Sequence, residues 1–82
     1  MPPTRSVRER LIECFRDVFP QLPGDVIPGA SVDTLPAWDS LATVTLLALI
    51  EEEFGVRVKP ESIEGLTSFD RVLAYLTARP SV

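Results

Sequence analysis

Apolar residues recur along the chain at helical spacing, in blocks separated by proline and glycine. Val7, Leu11, Phe15 and Val18 lie three or four apart, and Ile12 and Phe19 widen the stripe. This is the pattern of a helix with one buried face. Ser6 and Glu9 stand in the S-x-x-E relation of a capping box, so the helix is predicted to begin near Val7. Pro20 and Pro23-Gly24 stop it. A loop follows from about Gln21 to Trp38, broken by Pro28-Gly29 and Pro36. Ordered loops of this length are functional or packed by their own side chains. Leu22, Val26, Ile27, Val32 and Leu35 are expected to pin this one to the core.

The periodicity then resumes. A second helix is predicted from about Ser40 to Phe54, with Gly55 suited to its C-terminal stop. Val56-Arg57-Val58 alternates but is too short to predict a sheet. Lys59-Pro60-Glu61 opens a short third helix with proline at its first position, and Gly65 closes it. Thr67 or Ser68 caps a fourth, with Asp70 in its first turn. Phe69, Val72, Leu73 and Leu76 form its stripe, Tyr75 lies at the edge, and Pro80 ends it. The predicted fold class is all-α: a small four-helix bundle with a long loop between helices 1 and 2 and a short helix 3. Residues 1–82 are read as one domain, with 1–5 and 80–82 frayed.

The second helix departs from a one-sided pattern. At roughly 100° per residue, Thr43, Leu46, Leu47, Ile50 and Phe54 share one side. Leu41, Val44 and Ala48 fall on the other, and charge arrives only at Glu51-Glu52-Glu53. A chain of 82 residues buries only a small core, so a helix apolar on both sides is hard to enclose. Two readings stand: scattered exposed leucines without meaning, or a face that meets a partner.

Composition narrows the partner. The net charge is -4, and residues 24–66 hold eight acids against Arg57 and Lys59. That excludes nucleic acid, whose phosphates need a basic face, and suits partners with Arg and Lys patches. There is no histidine, no cysteine motif and no glycine-rich phosphate loop, so an enzyme is not expected, nor a metal site. The single Cys14 forms no internal disulfide. Together with the lack of a signal-like or membrane-spanning apolar run, it points to a cytoplasmic chain without membrane insertion. Cys14 reads either as a core-edge residue or as a reactive thiol. Monomer is the default.

Ser40 stands at or next to the start of the second helix. As a helix N-cap it needs no further explanation. As an attachment point, it would place a phosphodiester against the positive end of the helix dipole and free backbone N–H groups. Asp39 beside it would help hold a metal ion or position a modifying enzyme.

The stretch DSLATVTLLALIEEEFG, residues 39–55, resembles the signature of acyl carrier proteins: D-S-L, a helix bearing T-V-x-L, then an E-E-E-F end. The likeness extends over most of the chain and implies a bundle of acyl-carrier type. In that family the serine carries 4′-phosphopantetheine, derived from coenzyme A, and acyl groups ride on its thiol as thioesters. By position, the resemblance implies that Ser40 bears the arm and that Asp39 and Leu41 are read by the phosphopantetheinyl transferase. It places Leu41, Val44, Ala48, Glu51 and Glu52 on the face that partner enzymes touch. These partners are the transferase, an acyl- or aminoacyl-activating ligase or synthase, and acyl-transferring enzymes. Leu46, Ile50, Val58, Ile63, Phe69, Val72 and Tyr75 are candidates to line an acyl pocket between helices 2, 3 and 4; a polar aminoacyl cargo would stay outside it.

Departures point away from primary fatty-acid synthesis. Fatty-acid carriers usually have acids where this chain has Ala42 and Thr45, often a methionine where it has Ala48, and a small residue where it has Trp38. Arg57 and Lys59 stand where the family is often neutral or acidic. The resemblance therefore implies a stand-alone carrier of a specialised pathway, such as polyketide, modified amino-acid, D-alanyl or glycolipid-type chemistry. The alternatives are a carrier of primary fatty-acid synthesis and an unmodified helical interaction module of the same fold. Trp38 reads as a lid on the loop–helix junction or as a contact for partner or cargo.

Overall fold

The computed structural model describes residues 6–78; the fraying expected at 1–5 and 80–82 and the stop expected at Pro80 lie outside the described residues. Four α-helices run in the order α1 (Val7–Val18), α2 (Ser40–Phe54), α3 (Pro60–Ile63) and α4 (Phe69–Thr77), with a 3₁₀ turn at Ile27–Gly29. The Ser6–Glu9 capping box forms in both directions. Gly55 ends α2 at φ 65°, a left-handed conformation that costs other residues about 1 kcal/mol. Ser68, not Thr67, caps α4 by accepting from the Arg71 N–H.

The first helix is the hub. It packs against α2, α4 and the 3₁₀ turn, whereas among the described residues no Cα of α2 lies within 8 Å of one of α4. Side chains from α1, α2, α4 and the loop fill the centre. Leu11, Phe15 and Phe19 are buried, with Trp38 and Phe69 against the Phe15 ring. At the far end of α2, Arg10 donates to the Glu53 carboxylate and to the Glu53 carbonyl, and its guanidinium lies 4.5 Å over the Phe54 ring. The Arg10–Glu53 pair is half-exposed, so its Coulombic contribution is small. Its geometry satisfies a helix-terminal carbonyl and fixes α1 against α2.

The loop is pinned differently from the expectation. Ile27 is buried, and Leu22 and Leu35 pack at the core edge, but Val26 is 49% and Val32 37% exposed. Ala30 and Trp38 take their places inside. The reason is backbone pairing. An antiparallel bridge joins Ser31 to Ser68, with the Val32 N–H donating to Thr67 O and the Phe69 N–H to Ala30 O. This bridge leaves Val32 partly in solvent. After α2, Val56 and Val58 are buried around an exposed Arg57 without forming a strand, because the Val58 N–H donates instead to the Glu51 carboxylate, 2.9 Å away.

α3 is one turn long, buries no residue and has no side-chain cap. One turn recovers little of its nucleation cost. Amide hydrogen exchange is expected to be fastest in residues 60–66 and slowest for the buried turns of α1, α2 and α4. Equal protection in all four helices would contradict this ranking.

Candidate functional site

The site is built at the start of α2. Asp39 is the N-cap: its Oδ1 accepts from the Ala42 N–H at 2.9 Å and its backbone carbonyl from the Thr43 N–H. This corrects the reading of Ser40 as a cap. Ser40 is the first helical residue, one position past the cap, so its side chain points outward where a cap's would turn back. It is exposed, and its hydroxyl makes no hydrogen bond within the described residues. The N–H groups of Ser40 and Leu41 likewise find no acceptor there. They are the unpaired donors of a helix N-terminus, and the helix dipole adds partial positive charge at the same place. The local chemistry is that of an anion seat beside an uncommitted hydroxyl.

Thr43 holds this geometry together. Its Oγ1 donates to Asp39 O at 3.0 Å and accepts from the Trp38 indole N–H at 2.9 Å. Trp38 is buried, 3% exposed, so its ring is a core residue rather than a surface contact. Sequence reasoning placed Thr43 on the core side but missed this role. The four-residue step from Asp39 to Thr43, over which threonine hydroxyls bond back to a carbonyl, was the available signal.

Along α2, Leu41 is 75% and Val44 65% exposed, and Ala48, Thr45 and Glu52 are exposed as well. They form the outer face that the pattern marked. Glu51 is half-buried and engaged with the Val58 N–H, while Glu53 binds Arg10. Glu52 makes no ion pair among the described residues, which leaves it as the uncommitted acid of the E-E-E run.

An open, mostly apolar cavity of about 330 Å³ adjoins Ser40, lined by Val32, Val44, Leu47, Ile63 and Leu66 and by Thr43, Glu64 and Thr67. Of the seven candidate acyl-pocket residues, Ile63 lines it. Tyr75 lines a separate surface cavity between α3 and α4. Leu46, Ile50, Phe69 and Val72 are in the core at 2% exposure or less, and Val58 is buried beside Val56. Nothing in the sequence places Glu64 and Thr67 near Ser40, because only the fold brings them across.

A family model described as the phosphopantetheine attachment site matches residues 9–76. The chain belongs to this family. It is an acyl-carrier-type protein whose cofactor is covalent 4′-phosphopantetheine, and carrier domains of this kind are generally non-catalytic. No solved structure gives a significant match. The exposed hydroxyl, with two unpaired N–H groups beside it, fits the phosphodiester of such an arm. No helix among the described residues is long and apolar enough to cross a membrane.

The carrier's own thiol is unsuited to carrying cargo. Cys14 is buried, and burial, reinforced by the carboxylates of Glu53, Asp17 and Glu13, pushes its pKa up from 9.0 to about 11. The reactive thiolate is thereby suppressed.

Two outcomes follow for stability. Asp39→Ala removes the cap and should cost about 1 kcal/mol by urea titration, while Ser40→Ala should change stability by less than about 0.5 kcal/mol. Equal losses would mean that Ser40 shares the capping. For Cys14, the folded state keeps a proton that the unfolded chain releases above pH 9, so its contribution is complete below that pH and is lost as pH rises toward about 11. A Cys14→Ala protein should lack this component of the alkaline decline, and an identical decline in both proteins would refute the assignment.

Proposed function

We propose that Ser40 bears the phosphopantetheine arm and that the chain serves as a carrier of acyl or aminoacyl thioesters in a specialised pathway. The observation that carries the reading is the uncommitted Ser40 hydroxyl at the first position of α2, directly after an Asp39 cap that satisfies the helix without it. In the loading step, Ser40 Oγ bonds to the phosphorus of the phosphopantetheinyl group and the pyrophosphate bond of coenzyme A breaks. Adenosine 3′,5′-bisphosphate leaves, and the hydroxyl proton passes to the transferase. Asp39 and Leu41 flank the serine as recognition points for that enzyme.

The outer face of α2 supports the specialised assignment. Between Leu41 and Glu52 it presents Val44, Thr45 and Ala48 and no carboxylate. With Glu51 and Glu53 engaged internally, docking there depends on apolar contact with Leu41 and Val44 and on Glu52, more than on a row of acid–arginine pairs. The partners on this reading are a phosphopantetheinyl transferase, an activating ligase or synthase, and the enzymes that remove the cargo. The chain acts as a cytoplasmic monomer and one carrier domain.

Intact mass after incubation with coenzyme A, Mg²⁺ and a broad-specificity transferase is the test. The wild type should gain one phosphopantetheine and Ser40→Ala none. A folded wild type that gains nothing beside a working control carrier would instead make the apolar face of α2 that of an unmodified interaction module.

A further inference from the structure

Asp39 and Ser40 share one peptide group. That group is planar, so holding its carbonyl oxygen also holds the Ser40 N–H and Cα. The oxygen is held twice from within the first turn of α2. It accepts from the Thr43 N–H at 2.9 Å and from the Thr43 hydroxyl at 3.0 Å. The first is the ordinary backbone bond of a helix. The second depends on which residue stands at position 43.

Helix ends fray, and the bonds from Asp39 to Ala42 and Thr43 close the turn only on itself. Among the described residues, one side-chain hydrogen bond ties this turn to a buried group: the Trp38 indole N–H donates to Thr43 Oγ1 at 2.9 Å. The indole is 3% exposed. Its ring stands edge-on to Phe15, with centroids 5.3 Å apart, and lies 6.1 Å from Phe19. The end of α1 thus reaches Ser40 through the indole, the Thr43 hydroxyl and the Asp39–Ser40 peptide. A hydroxyl that accepts one hydrogen bond donates its own more strongly. Ser40 has no such hold of its own, since its hydroxyl and N–H find no partner among the described residues.

We propose that Thr43, held by Trp38, is a positioning residue for the loading of Ser40. The inference rests on Ser40 bearing the arm. In that step the bond from Ser40 Oγ to phosphorus forms and the pyrophosphate bond of coenzyme A breaks. Adenosine 3′,5′-bisphosphate leaves, and the hydroxyl proton passes to the transferase. The attacking and leaving oxygens stand in line across the phosphorus, so a small misplacement of Ser40 costs rate. The one hydroxyl proton of Thr43 is committed to the Asp39 carbonyl. Thr43 therefore acts through the peptide and not on the phosphate.

Steady-state loading by a broad-specificity transferase is the test, with coenzyme A saturating and the carrier varied as substrate. Thr43→Val keeps the branched shape and removes the hydroxyl. Where circular dichroism shows this variant fully folded, kcat should fall by about tenfold with KM for the carrier unchanged. Thr43→Ser restores the hydroxyl and should recover most of the loss. Trp38→Phe keeps a ring and removes the indole N–H. Combined with Thr43→Val, it should lose no more than Thr43→Val alone, because both act through one bond. Leu76→Val, a core change in α4, should lower stability and keep the wild-type kcat. Four results would overturn the inference while leaving the carrier reading intact: wild-type kcat in folded Thr43→Val, a loss confined to KM, multiplied losses in the double variant, or a matching fall in kcat with Leu76→Val. A wild type that gains no phosphopantetheine would remove the carrier reading, and this inference with it. If Thr43→Val does not fold, Trp38→Phe alone puts the same question, and a wild-type kcat there would overturn the proposal.

Discussion

The hydrogen bond from the Trp38 indole to Thr43 sets the position of the functional site. A buried indole needs an acceptor, and here the acceptor belongs to the first turn of the helix that the loop is about to enter. Thr43 in turn donates to the Asp39 carbonyl. The ring therefore fixes where the loop ends, where α2 begins and how α2 is rotated about its axis. Once that rotation is set, Leu46, Leu47 and Ile50 must face the core, and Leu41, Val44 and Ala48 must face out. Ser40 is exposed because Asp39, one residue earlier, already satisfies the helix.

Constraints at the other end of α2 change the meaning of its charge. Three consecutive glutamates read as one acidic patch in the sequence. In the fold they have three fates. Glu51 turns back to the Val58 N–H, Glu53 joins Arg10, and Glu52 stays in solvent. The first two replace water as partners for backbone and guanidinium groups that the turn after α2 would otherwise leave short of partners. An electrostatic account of docking that counted all three acids would overstate the field a partner meets.

Local signals were legible and tertiary ones were not. The capping box at Ser6 and Glu9, the glycine stop at Gly55, the proline opening of α3 and the cap before Phe69 act within a few residues, so the sequence states them directly. The faces of α2 followed from period alone. The loop had no period, so the inward direction of Ala30 and the outward direction of Val32 depended on the Ser31–Ser68 bridge, which joins residues far apart in the chain. The cap at α2 was ambiguous for a different reason. Asp39 and Ser40 are both good N-caps, and a shift of one residue decides which side chain is spent on the helix and which remains available. The walls of the cavity beside Ser40 come from α2, from residues 63–67 and from Val32 of the loop, a combination that no local pattern contains.

The sides of that cavity differ in how firmly they are held. The α2 wall is held at its start by Trp38 and Asp39 and at its end by Arg10. On the facing side Ile63, only partly covered, ends a one-turn helix with no buried residue and no side-chain cap, while Leu66 after it is buried and Thr67 is paired with Val32. Few buried contacts mean low local stability. Ser40 is thus held in a constant frame. The α3 end of the cavity can shift without disturbing the aromatic core, because the rings that fill the core belong to α1, α4 and the end of the loop rather than to α3.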